Sequence, residues 1–270
     1  TPVTDGATVY VVFANGIVRA VDLAGKPKWI ACIEAEQSTS YGRSASPAIV
    51  GGKLIVHMTH LYAFDPATGR LLWTNSDAKC TYGTPAGFKG ALVTSGGDVV
   101  RGDDGKGLNS GVGPAFHTSP VVVDELLYFG DREVRAVRLD AAFKDRDVWN
   151  VQLPSDVFGS PLLHDGLLFT VTGKGVLFAF DAREGKPVIE ARELFGDEAG
   201  AEAVYASLAL AGSHLFLAST LGEVVVLEAT REARLVARNK MKDGTGSTPV
   251  FSGPRMYLRD GETLFCIGGR

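Results

Sequence analysis

A unit of about forty residues recurs seven times, glycine marks the turns at fixed offsets inside it, and no apolar run of helical period interrupts it. These observations predict an all-β chain, a β-propeller of four-stranded antiparallel blades, with residues 1–270 forming one domain. Composition agrees, with 33 glycines and many Val, Thr, Phe and Tyr residues.

Each unit opens on a small hydroxyl residue followed by proline and two or three apolar residues. The openers are Thr1-Pro2, Ser46-Pro47, Thr84-Pro85, Ser119-Pro120, Ser160-Pro161 and Thr248-Pro249, and a copy at Ser207-Leu208 has lost its proline. The blades therefore start near residues 1, 46, 84, 119, 160, 207 and 248, 35 to 47 residues apart. A short turn such as Asp5-Gly6 or Asp165-Gly166 leads to a β-rich run, for example Thr8 to Phe13 or Leu167 to Val171. A second glycine turn, Asn15-Gly16 or Leu221-Gly222, precedes the third strand. Asn-Gly and Asp-Gly supply the positive-φ positions of tight hairpins, so each unit reads as a meander.

The third strand ends in Asp, a Gly follows three or four residues later, and a fourth strand carries Trp. The fullest copy is Asp65-Pro-Ala-Thr-Gly69-Arg-Leu-Leu-Trp73; Asp22 to Trp29 is one residue shorter, and Asp181 to Gly185 continues to Ile189. Trp149 follows a stretched version after Asp140. The Asp caps the turn, the Gly takes the left-handed conformation and the Trp buries area against the neighbouring blade.

This Ala-x-Asp-x-x-Thr-Gly-x-x-x-Trp pattern after a Ser-Pro strand resembles the repeat of the pyrroloquinoline-quinone-like propeller family. That family holds the quinone-dependent alcohol and glucose dehydrogenases and the propeller lipoprotein of the bacterial outer-membrane β-barrel assembly machinery, and the chain resembles the lipoprotein more. The resemblance implies a bacterial, extracytoplasmic protein of the periplasm or cell envelope. In the dehydrogenases it implies a quinone held with a Ca²⁺ site of Glu, Asn and Asp. No such set can be assigned here and no Cys-Cys pair occurs, so the expectation is no cofactor and no catalytic residue.

The last unit, Thr248 to Ile267, reads as three strands, which places the missing strand upstream of Thr1 as an expectation and leaves open whether it is a single strand or an eighth blade. Lys+Arg 27 against Asp+Glu 31, without a like-charge run, argues against nucleic acid. The apolar stretches are strand-sized, far below the roughly 20 residues a membrane helix needs, so no transmembrane segment is expected. Of three cysteines at most one pair can form; Cys32 and Cys80 both follow Trp strands of adjacent units.

A metal reading of His57-Met-Thr-His60 fails in an extended strand, where residues three apart face opposite ways; a partly buried His57 and a loop His60 are expected. The informative positions are the segments before each inner strand, which in a propeller converge at one mouth. They carry Arg43, Tyr82, His117, Phe158, Tyr205 and Thr245, residue types that either plug the loops or anchor a ligand. The expectation is a non-catalytic binding or scaffolding propeller that engages a protein or glycan partner through this mouth or an exposed blade edge. The alternative is a small-molecule or cofactor-binding enzyme domain at the same mouth.

Overall fold

In a computed structural model of the chain, residues 1–35, 45–78, 82–113, 115–196, 204–244 and 246–268 are described. Among them there are 27 strands and no helix, so none long and apolar enough to cross a membrane. The strands make seven antiparallel meanders, the blades of a β-propeller: six have four strands and the last has three among the described residues.

The chain divides into two compact units. The first, Thr1–Phe129 with Val137–Asp147, holds three complete blades: Val3–Thr4, Thr8–Val12, Ile17–Asp22 and Pro27–Cys32; then Ala48–Val50, Lys53–His57, Leu61–Phe64 and Leu71–Asn75; then Ala86–Phe88, Ala91–Val93, Val99–Arg101 and Gly107–Asn109. The second, Gly130–Ala136 with Val148–Arg270, holds the fifth blade (Leu162–His164, Leu167–Val171, Val176–Asp181, Pro187–Glu193) and the sixth (Ala209–Ala211, His214–Ala218, Glu223–Glu228, Leu235–Lys240). It ends with the seventh, Val250–Ser252, Arg255–Asp260 and Thr263–Gly268.

Burial does not alternate along the middle strands: Leu61–Phe64 and Leu167–Val171 are buried throughout. A strand covered on both faces has no solvent side, and here each face meets a neighbouring blade. The cores accordingly lie between blades. Tyr10, Val18 and Ala20 of the first blade pack with Leu54, Val56 and Phe64 of the second. Phe169, Leu177 and Ala179 of the fifth pack with Leu215, Leu217 and Val225 of the sixth. Outer strands such as Leu235–Lys240 stay exposed.

The repeat motif is explained by three contacts. Asp22, Asp65, Asp140 and Asp181 each accept backbone N–H bonds from residues two to four positions on, closing the turn. The Trp of one blade lies on the turn glycine of the next: a Cβ on Gly69, Gly105 or Gly185 would come within 2.6 Å of a ring atom of Trp29, Trp73 or Trp149. Each indole N–H then donates to a carbonyl in that same turn, of Pro66, Gly102 and Ala182. The third copy keeps this device with Arg101 in the place of Asp and Gly105 as the glycine; Asp98 belongs to the preceding hairpin, where its N–H donates to the Thr94 hydroxyl. Fourth and sixth copies place Phe143 and Ala233 in the left-handed conformation that glycine fills elsewhere.

The opening hydroxyls have a second use. Thr84 accepts the N–H of Ser46, and Ser119 accepts that of Thr84. In the second unit Ser207 accepts the N–H of Ser160, and Thr248 that of Ser207. Four inner-strand starts are thus tied to the following copy by a backbone N–H donated to the next opener's hydroxyl. The copy without proline keeps the tie, because only the hydroxyl makes it.

Two features stand apart from the motif. Tyr10 donates its phenol to Asp5, whose other carboxylate oxygen accepts the N–H groups of Ala7 and Thr8. These bonds, the Ala7 one foremost, hold the Asp5 carboxyl below its ordinary range, while burial, then Asp5, pushes the Tyr10 phenol up. Asp260, buried at the end of its strand, accepts N–H bonds from Lys242, Asp243 and Gly244.

Candidate functional site

The segments before the inner strands are placed by glycine. A Cβ on Gly83 would stand 2.1 Å from the Thr118 carbonyl oxygen, and one on Gly159 would stand 2.2 Å from that of Ala206. Only a hydrogen fits there, so adjacent segments approach backbone to backbone and their preceding side chains meet.

In the first unit this brings Tyr82 onto His117, ring centroids 5.7 Å apart and 4° from parallel, with Phe116 edge-on to both. The Tyr82 N–H donates to the Phe116 carbonyl at 3.3 Å. In the second unit Phe158 stacks on Tyr205 at 4.9 Å and 26°. The register is the same in both: each of the four stacked rings lies two residues before its opener, Thr84, Ser119, Ser160 or Ser207. Phe158 is also wedged against Gly173, where a Cβ would be 2.5 Å from the ring. Phe116 and Tyr205 remain 49% and 51% exposed, large apolar surfaces on otherwise packed loops.

Of the six mouth positions read from the sequence, Tyr82 and His117 form one cluster and Phe158 and Tyr205 the other. Arg43 and Thr245 lie outside the described residues, as do Cys80 and with it any pairing to Cys32. Cys32 and Cys266 are exposed thiols. Phe116, in the same segment as His117, completes the first cluster. The buried Asp260 was missed, because the strand Arg255–Asp260 carries Arg255 and Arg259 as well and so reads as an ordinary mixed strand.

His57 is fully buried, not partly so, with Nε2 3.3 Å from the Ala78 carbonyl. His57 pairs with Leu61 across the hairpin, at the end of a strand whose last four residues are all buried. His60 turns toward Glu34, Nε2 to carboxylate 3.5 Å. Among the described residues no three His, Cys, Asp or Glu side chains converge as metal ligands.

The fold and these loops define a propeller of the pyrroloquinoline-quinone-like class, its sheets joined by tryptophan docking and its inner-strand approaches furnished with stacked aromatics. The family model described as outer membrane protein assembly factor BamB matches residues 1–100 and 58–192, and the chain belongs to this family. Among solved structures, BamB from Moraxella catarrhalis superposes with a TM-score of 0.75 at 17% identity, covering 99% of this chain and 81% of that one. Saccharomyces cerevisiae Sqt1 gives 0.75 at 12% identity over 98% and 80%. A europium-containing methanol dehydrogenase gives 0.63 at 14% over 95% and 81%. At such identities the likeness is one of fold alone. No curated protein sequence matches the chain.

Proposed function

We propose that this protein is a non-catalytic docking module of the bacterial cell envelope, which holds a protein partner against the aromatic loop segments before its inner strands. The observation that carries this reading is the pair of stacked clusters, Tyr82–His117 with Phe116 and Phe158–Tyr205, each leaving one large ring exposed. Rigid aromatics that bury one face in their own loops and offer the other are the side chains that dominate binding energy at interfaces. Membership of a family described by an assembly factor favours a protein over a glycan, and an envelope location over the cytoplasm.

The test is a Phe116→Ala, Tyr205→Ala double variant, with a photoreactive phenylalanine analogue placed at Phe158 in living cells. Truncating an interface anchor costs about 2 kcal/mol or more, roughly thirtyfold in affinity. The expected result is a discrete protein adduct that disappears in the double variant while the melting temperature holds. An adduct with glycan, or a protein adduct that persists unchanged, would overturn the reading.

A further inference from the structure

Away from these loops, the second unit carries a cleft of about 460 Å³ between the outer parts of the fifth and sixth blades. Three arginines line it, Arg192, Arg234 and Arg238, over a floor of the buried Leu194 and Leu227 with the half-exposed Leu235 at the rim. Glu193 is the one carboxylate in the lining.

The guanidiniums are held in place with donors to spare. Arg192 reaches across from the fifth blade and donates one terminal nitrogen to the carbonyls of Glu232 and Ala233 at 2.5 and 2.6 Å. Arg238 reaches back from the sixth, donating to the Leu194 carbonyl at 2.6 Å and to Glu223 at 3.4 Å. Arg234 bonds Glu228 through Nε at 2.9 Å and is otherwise 74% exposed. Each guanidinium has five N–H donors, so at least three remain on every one of them. Among the described residues no carboxylate lies within ion-pair distance of Arg192; its charge meets only carbonyl dipoles.

An arginine fork matches a carboxylate bidentately, and the leucine floor takes an aliphatic or aromatic side chain. We infer that this cleft binds an acidic peptide segment in which an apolar residue is flanked by Asp or Glu, the carboxylates on Arg192 and Arg234 and the apolar side chain on Leu194 and Leu227. The inference rests on the reading of the protein as a docking module, and adds a second contact with its own chemistry.

The probe is the blocked peptide Asp-Leu-Asp-Phe, set against Asn-Leu-Asn-Phe and against inorganic phosphate, titrated into the full chain by calorimetry. The variant is Arg234→Gln, whose side chain makes a single ion pair on the surface. Saturable binding of the acidic peptide, weakened at least tenfold by Arg234→Gln and by raising salt from 50 to 300 mM, with no binding of the amide peptide, is the expected result. Absence of saturable binding to the acidic peptide, equal binding of the amide peptide, or binding unchanged in Arg234→Gln would overturn it. Phosphate binding as tight as the peptide would also overturn it, by showing a small-anion site. Because Phe116 and Tyr205 take no part, the double variant at those residues should bind the peptide normally; the two readings can therefore fail separately.

Discussion

Gly69 and Gly25 occupy the same place in consecutive copies, with φ of +73° and +81°, yet their surroundings differ. A Cβ on Gly69 meets the Trp29 ring at 2.5 Å, whereas one on Gly25 meets nothing within 4 Å. Gly25→Ala should cost only the left-handed backbone penalty, about 1 kcal/mol. Gly69→Ala adds a steric conflict with a packed indole and should cost about 2–5 kcal/mol. Urea unfolding of both variants measures the difference; equal costs would show that the indole yields freely. The Asp5–Tyr10 pair makes a second prediction at this scale. A carboxyl held low contributes stability that is full above its ordinary value of 3.8 and disappears as pH falls through the lower folded value. A phenol pushed up contributes stability that is full below 10.0 and is lost as pH rises beyond it. Asp5→Asn should therefore lower the urea midpoint between pH 5 and 9, and the difference from the parent should shrink as pH falls below 3.8.

Within a blade, the opening hydroxyl and the turn do separate jobs. Thr84→Val keeps the shape but removes the acceptor for the partly buried Ser46 N–H, and losing that bond costs about 1 kcal/mol. Thr84→Ser should restore most of that loss, measured by chemical denaturation. The elements were legible in the sequence because opener, turn glycine and tryptophan are local marks with fixed offsets. What was not legible came from contacts between copies. The stacking of Phe158 on Tyr205 depends on Gly159 touching the Ala206 backbone, which no offset within one copy announces. The arginine cleft likewise gathers Arg192 and Arg238 from exposed strands some forty residues apart, where the sequence looks like an ordinary solvated face. The third copy is less legible because Arg101 stands where aspartate does in other copies.

For the molecule as a whole, cores shared between neighbouring sheets mean that no blade buries its faces alone, so stability behaves as a sum of nearest-neighbour terms. Trp73 packs with Ile55, Leu61 and Ala63 of its own blade and with Leu92 and Val100 of the next. Trp73→Ala should cost about 3–5 kcal/mol. In native-state hydrogen exchange, amides of Val99–Arg101 should then lose protection before those of Thr8–Val12; simultaneous loss would show that the first unit opens as one body. The tie between openers has a consequence for synthesis. Ser46, Thr84, Ser160 and Ser207 each wait for a hydroxyl that lies in the following copy, and each docked indole waits for a glycine there too. On the ribosome, at about 5–20 residues per second, the next copy takes roughly 2 to 9 s to arrive. For that interval the first, second and fourth blades each show a bare tryptophan, and the second, third, fifth and sixth each an unmet amide, which makes this fold a natural client for chaperones that hold extended β chains.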